Sequence, residues 1–333
     1  RFTPAWIDAA PTPHFMPSFQ SRHPLIADLL AFSAGALLPL AFAPFGFWPL
    51  AILLPIVLLW SWDGVAPGRA ALRGGLFGLG VYGFGIYWVF ISLHAYGNAP
   101  APFAVLATAL MVLVMALYPT ALGGLITRWG PPPGPARWLL VFPALWTLLD
   151  WVRSWLFTGF PWLALGYSQT DAPLGQLAPY AGVFGVGWAV VFSAGLLWTL
   201  LNSADWRARL GWLGLLAALW LGAWGLGRVA WVEPAGPALR VAIVQGNVTQ
   251  DRKWNPDALD ETLTRYVQLS LPEQSQSDVI IWPETAIPAL LDEVRPFVAA
   301  LAGAAQQAGV DYVTGIPTGS WETSIFHNSI IGV

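Results

Sequence analysis

The chain has 333 residues, of which 56% are hydrophobic and only 10% are charged, where a soluble domain carries about 25% charge. That balance excludes a wholly water-solvated protein, and a net charge of -3 with no basic stripe excludes a nucleic-acid binder. There is no Cys, so no disulfide, zinc–thiolate site or thiol nucleophile exists within these residues.

Residues 1–22 are polar and rich in proline (Pro4, Pro11, Pro13, Pro17). They are expected to form a cytoplasmic tail without fixed structure. Residues 23–232 read as a transmembrane domain. Its apolar stretches fall at 25–43, 47–62, 71–93, 101–126, 136–157, 176–201 and 211–231, and most reach the ~20 residues a helix needs to cross a bilayer. The stretch at 47–62 is short and holds Pro49 and Pro55, which suit a tilted, kinked or protein-packed segment. Gly74, Gly78, Gly83 and Gly85 suit close helix packing. The 21 Trp residues fit membrane–water interfaces, where the indole ring sits among headgroups.

Orientation follows from the basic residues. Arg22 precedes the first stretch, and Arg69, Arg73, Arg128, Arg137, Arg207 and Arg209 fall in every second connection after it, hence on one side, whereas 44–46 and 94–100 carry no Lys or Arg. The N-terminus is therefore expected in the cytoplasm. Seven crossings then place everything after Trp231 outside, which in a bacterium with two membranes is the periplasm.

The segment Thr158-Gly159-Phe160-Pro161-Trp162, continuing to Gly166-Tyr167-Ser168-Gln169, is apolar, aromatic and broken by Gly and Pro. It reads either as an aromatic-belt segment or as a wall of a lipid-binding site. Asp150 and Arg153, at i and i+3 just before it, are either a functional pair or a local ion pair that anchors a helix end.

After Pro237 the texture changes. Strands are expected at 239–245, 278–282, 311–316 and 325–333, the last holding His327 and Asn328. Helices are expected at 257–269 and 288–308, with Gly309 as a C-cap. This alternation argues an α/β unit over 238–333. In Val279-Ile280-Ile281-Trp282-Pro283-Glu284-Thr285 a buried strand is stopped by Pro283, which has no N–H for a ladder. Glu284 follows at the sheet edge, where α/β folds tend to place chemistry. The same residues are also ordinary helix-start composition. Trp254 follows the polar turn Thr249-Gln250-Asp251 and reads as an exposed lid or as a core residue. His14, His23, His94 and His327 show no metal-ligand spacing, so neither metal nor cofactor is expected. The chain opens on Arg1 and not Met, and ends inside a strand, so it is expected to be a piece of a longer protein.

Together these features resemble the apolipoprotein N-acyltransferase family. Gly85-Ile86-Tyr87-Trp88-Val89 resembles its third span, and the 158–169 segment its aromatic loop. Val244-Gln245-Gly246-Asn247, Lys253-Trp254 and Ile280-Ile281-Trp282-Pro283-Glu284-Thr285-Ala286 resemble the start of its nitrilase-like domain. The resemblance implies a polytopic helical bundle carrying a periplasmic α-β-β-α nitrilase-like sandwich, incomplete in this chain. It implies a multi-pass inner-membrane enzyme, expected as a monomer, that moves a fatty acyl chain from a phospholipid to the N-terminal amine of a diacylglyceryl-cysteine apolipoprotein. The chemistry would run through a thioester on a Cys, by ping-pong steps.

Glu284 matches the general base, and burial at the sheet edge would strengthen it. Trp254 matches an aromatic residue on a mobile arm, and Trp162 and Tyr167 belong to the aromatic loop. Lys253 does not match the family's oxyanion-stabilising Lys. That Lys and the Cys are expected beyond Val333. Three alternatives stay open: a membrane-tethered amidase, a transporter with an outer domain, and an inactive fragment. Against transport, the spans show Asp150 and Arg153 as their central ionisable pair, near one end.

Overall fold

The computed structural model describes residues 23–333, so the expected tail lies outside the described residues. The chain divides at Trp231/Val232 into two compact units.

In the first unit, each apolar stretch contains helix. The helices are α1 (Pro24–Leu37), α2 (Leu50–Trp62), α3 (Pro67–Gly85), α4 (Ala101–Arg128), α5 (Phe142–Arg153), α6 (Ala178–Asn202) and α7 (Trp206–Leu226). Four helical segments among the described residues are long and apolar enough to cross a membrane: Pro24–Ala41, Ala101–Arg128, Pro173–Asn202 and Trp206–Leu226. A fifth is added if α3 and the segment Trp88–Tyr96, bent from it by 45°, form one span. The other two stretches fall short. α2 has 13 residues and rises about 20 Å, less than the ~30 Å of a hydrocarbon core. α5 has 12 residues, entered through a π-helical turn at Ala136–Val141.

α3 packs between α1 and α4, and glycine sets the approach. A Cβ on Gly74 would collide with the Pro119 carbonyl, and one on Gly78 would lie 2.8 Å from the Cα of Ala116. Gly85 lies under the Leu163 side chain, whereas Gly83 faces open space. The small-residue pattern thus mixes contact positions with one that touches nothing.

The charges at one end of this unit form a network that spacing does not reveal. Arg69 and Arg73 both pair with Asp28 of α1, at 2.7 and 2.9 Å. Arg73 is fully buried and also donates to the Ser61 carbonyl at the end of α2. Asp150 and Arg153 are therefore not the only ionisable pair inside the helices. Burying a guanidinium is tolerable only with such partners.

The second unit is a four-stranded sheet in the order β1 (Val241–Ile243), β2 (Val279–Ile281), β3 (Asp311–Ser320), β4 (Ile325–Gly332). The first three strands are parallel and β4 is antiparallel to β3. Crossovers run through α8 (Leu259–Ser270) and α9 (Arg295–Ala308). The core centres on Trp282, which stacks on Tyr266 at 5.2 Å and meets Tyr312 edge-on at 5.6 Å. Its indole N–H donates to Ser270 Oγ at 2.8 Å, so the buried ring leaves no polar group unpaired.

Two boundaries differ from expectation. α9 begins at Arg295, not Pro288, because the preceding backbone is hydrogen-bonded to β3: Ile287 N–H donates to Gly315 O and Leu291 N–H to Pro317 O. Those bonds replace the i→i−4 pattern of a helix. β3 runs to Ser320, through Pro317 and Gly319, because β4 pairs along it, with Pro317 opposite Asn328. Gly309 caps α9 in the left-handed conformation as expected, with φ +66°.

β1 and β2 are tied at their start by Arg240 and Asp278. The Asp278 carboxylate accepts from the Arg240 backbone N–H at 2.8 Å and from its guanidinium at 2.8 Å. The guanidinium hydrogen bond, then the backbone one, holds the Asp278 carboxyl below its ordinary range. A depressed carboxylate stabilises the fold above its unfolded value, near ~3.9, and loses that contribution as pH falls through the folded value. Protection of the β1 and β2 amides against hydrogen exchange, corrected for intrinsic rate, is therefore expected to drop on acidification below about pH 4. Asp278→Asn should flatten that part of the profile.

Candidate active site

The parallel strands end at one edge of the sheet, and the turns that follow them carry the chemistry-bearing side chains. After β2, Pro283 and Glu284 lie exposed between buried Trp282 and buried Thr285. Trp282 N–H donates to Val313 O at 2.9 Å and Ala286 N–H to Pro283 O at 3.1 Å, which makes a tight turn around Glu284. Thr285 sits at φ +50°, a conformation that a β-branched residue avoids unless its surroundings impose it.

Gly315 of β3 lies directly beneath. A Cβ there would lie 2.9 Å from Glu284 Cα and closer still to the Thr285 nitrogen. Only glycine lets the turn settle onto the strand. Glu284 is therefore not at a helix start, as its composition also allowed; α9 begins eleven residues later, at Arg295.

Two side chains absent from the sequence-level site reach Glu284. Asn328 Nδ2 donates to Glu284 Oε1, and Lys253 Nζ donates to the Glu284 backbone carbonyl at 3.2 Å. Asn328 is brought there by the β3–β4 register, and Lys253 by the turn after β1. Neither position stands out by spacing, since each depends on strand pairing. Glu284 and Asn328 border a pocket of about 380 Å³ whose walls include Ile281, Trp282, Thr314, Ser329 and Ile330. Because Glu284 is exposed, the burial expected to strengthen it as a base is not supplied by the described residues. The arrangement gives a carboxylate with one oxygen fixed by an amide donor, beside a mainly apolar pocket. Such a group can accept and return protons.

Trp254 ends the single turn Gln250–Lys253. It is 55% exposed, with the Lys253 ammonium 6.0 Å from its ring centre. It is not buried by the described residues.

In the first unit, Trp162 and Tyr167 are 49% and 55% exposed. Trp162 packs against Trp88 at 5.1 Å and stacks on Phe160 at 6.3 Å. Arg153 is buried and donates to the backbone carbonyls of Phe160 and Trp162, both at 2.7 Å, while pairing with Asp150 at 2.8 Å. The pair read as a helix anchor thus also holds the aromatic segment. Among the described residues, no group of three or more His, Asp or Glu side chains is placed to hold a metal ion.

Comparison with known proteins addresses the chain as a whole. A family profile described as apolipoprotein N-acyltransferase N-terminal domain matches residues 34–196. An apolipoprotein N-acyltransferase from Methylococcus capsulatus is 44% identical over 309 residues, 92% of this chain and 60% of that protein. One from Coxiella burnetii is 40% identical over 306 residues, 91% of this chain and 63% of that protein. One from Azotobacter vinelandii is 43% identical over 293 residues, 87% of this chain and 57% of that protein. The chain spans about three fifths of the length of these curated relatives. An alignment of 309 residues cannot be contained in a first unit that ends at Trp231, so the likeness extends into the sheet that carries Glu284. With a family domain match in its helices and this degree of identity across both units, the chain is similar to apolipoprotein N-acyltransferases in both of its parts.

Proposed function

We propose that these residues form part of an enzyme that transfers a fatty acyl chain from a membrane phospholipid to the N-terminal amine of a diacylglyceryl-cysteine lipoprotein. The observation that carries this reading is the Glu284 carboxylate, held by Asn328 in the lining of a pocket, in a chain whose relatives carry that name. In this reading the first unit crosses the inner membrane an odd number of times from a cytoplasmic N-terminus. The sheet is then the opening portion of a periplasmic nitrilase-like sandwich.

The chemistry requires proton transfer twice. A thiolate must form to attack the ester carbonyl of the donor lipid, and the incoming amine must lose a proton as it attacks the resulting thioester. Glu284 accepts the proton in both steps and returns it to the leaving group, the hydroxyl of the departing lysophospholipid in the first and the enzyme thiol in the second. Asn328 fixes one carboxylate oxygen, leaving the other directed to the reacting groups. The chain contains no Cys, so the nucleophile belongs to residues outside these 333, as does the Lys that would stabilise each tetrahedral oxyanion. Lys253 donates to a backbone carbonyl and is assigned to turn geometry. Trp254 acts as an exposed lid, and Trp162 and Tyr167 offer aromatic surface to acyl chains, which are retained by ~0.8 kcal/mol per buried CH₂.

Three variants of the full-length protein test these roles. Glu284→Gln is expected to lower acyl-enzyme formation by about 10²–10⁴-fold, the usual share of a general base, with membrane insertion unchanged. Normal thioester accumulation would remove Glu284 from the role. Asn328→Ala should reduce turnover about tenfold through loss of one charge-assisted hydrogen bond, with substrate KM little changed. Trp254→Ala should slow turnover and leave hydrogen exchange of the sheet intact; global loosening of the sheet would make Trp254 a structural residue. A labelled phospholipid separates acyl transfer to a lipopeptide amine from release to water, the result expected of a hydrolase.

A further inference from the structure

We propose that Arg153, neutralised by Asp150, is the positioning residue for the aromatic segment 156–163, and that lipid donor use depends on the shape it imposes. The proposal rests on the acyl-transfer reading for its second half only.

The backbone of this segment is costly in itself. Phe157, Thr158 and Leu163 lie at φ +53°, +76° and +60°, and Gly159 at +81°. Side-chain-bearing residues rarely adopt such values, and a run of them persists only where the surroundings over-determine it. A Cβ at Gly159 would collide with the Ser154 carbonyl, so the chain folds back hard on the end of α5.

Arg153 is the group that imposes this path. Its side chain is 1% exposed. One terminal nitrogen donates to both Phe160 O and Trp162 O, and the other pairs with Asp150 Oδ1. The guanidinium lies 5.7 Å from the centre of the Tyr82 ring. Asp150 is itself oriented by the indole N–H of Trp146 at 3.2 Å. A pair serving only to anchor a helix end would have no call on two carbonyls beyond the helix. The planar fork of Arg can serve three acceptors at once, which the point charge of Lys cannot do in this geometry. What the clamp presents is apolar: Phe157 is 87% exposed and Trp162 is propped outward on Trp88 and Phe160. That surface suits the acyl and ester region of a diacyl phospholipid.

The test uses full-length protein in mixed phospholipid–detergent micelles and two substitutions that loosen the segment from opposite sides. Arg153→Gln removes the fork, and Gly159→Ala forces the turn open without unpairing a charge. Hydrogen exchange across 155–164 should rise about tenfold in both, with the other helices unchanged. KM for a diacyl phospholipid donor should rise about tenfold while KM for a diacylated lipopeptide acceptor stays put. Unchanged exchange in both variants would overturn the clamp. Raised exchange with an unchanged donor KM would overturn the dependence on lipid. If Arg153→Gln fails to fold, Gly159→Ala alone decides. If the unsubstituted protein transfers no acyl chain, the proposed function falls together with the lipid half, and the exchange measurement still decides the clamp.

Discussion

Every main-chain polar group in so apolar a chain must find a partner within the protein, and this constraint shapes the first unit. Helices meet it internally. Where the chain leaves a helix, the carbonyls are orphaned, and arginine repeatedly takes them up. Arg73 reaches Ser61 O at the end of α2, Arg137 Nε reaches Pro131 O beyond α4, Arg209 Nε reaches Ser203 O beyond α6, and Arg153 spans two carbonyls beyond α5. The first and last of these are buried and neutralised by a carboxylate, Asp28 or Asp150. Arg73, Arg137 and Arg209, on which the expected orientation rests, thus also close the ends of helices.

The same requirement explains how irregular backbone persists at 154–164. Without a partner for the Phe160 and Trp162 carbonyls, a helix would be the better solution for this stretch. With the guanidinium in place, the chain is free to turn sharply and to carry aromatic rings outward. Rigidity at a position that displays apolar surface reduces the entropy lost when a ligand is bound there. Under the proposed function, the shape of this loop and its use by lipid have one origin.

In the second unit the controlling feature is a difference in strand length. β2 ends at Ile281 while β3 continues to Ser320. The chain after β2 therefore runs along an already formed strand, attached through Trp282, Ile287 and Leu291. Gly315 provides the space, Thr285 takes the strained backbone, and Glu284 is left facing the pocket. β4 then supplies Asn328 from across the sheet. The carboxylate is held by backbone pairing and by a single side-chain donor, not by burial.

Composition and periodicity already determine a great deal here: helices through each apolar stretch, a change to α/β texture after Pro237, and a strand that stops at Pro283 before Glu284. These are local properties, set by hydropathy and by the missing N–H of proline. The segments around Trp162 and Glu284 stand out for the same reason, as short runs of distinctive residue types, but each run by itself admits two readings. What only the tertiary structure decided is long-range. Asn328 meets Glu284 through a β3–β4 register that no single strand encodes, and Asp28 meets Arg73 across 45 residues. The start of α9 shifts to Arg295 because hydrogen bonds to β3 outcompete helical ones. Arg153 looked like half of a local pair because i,i+3 spacing is visible in a sequence, whereas the carbonyls it also binds become acceptors only once the backbone beyond it has turned.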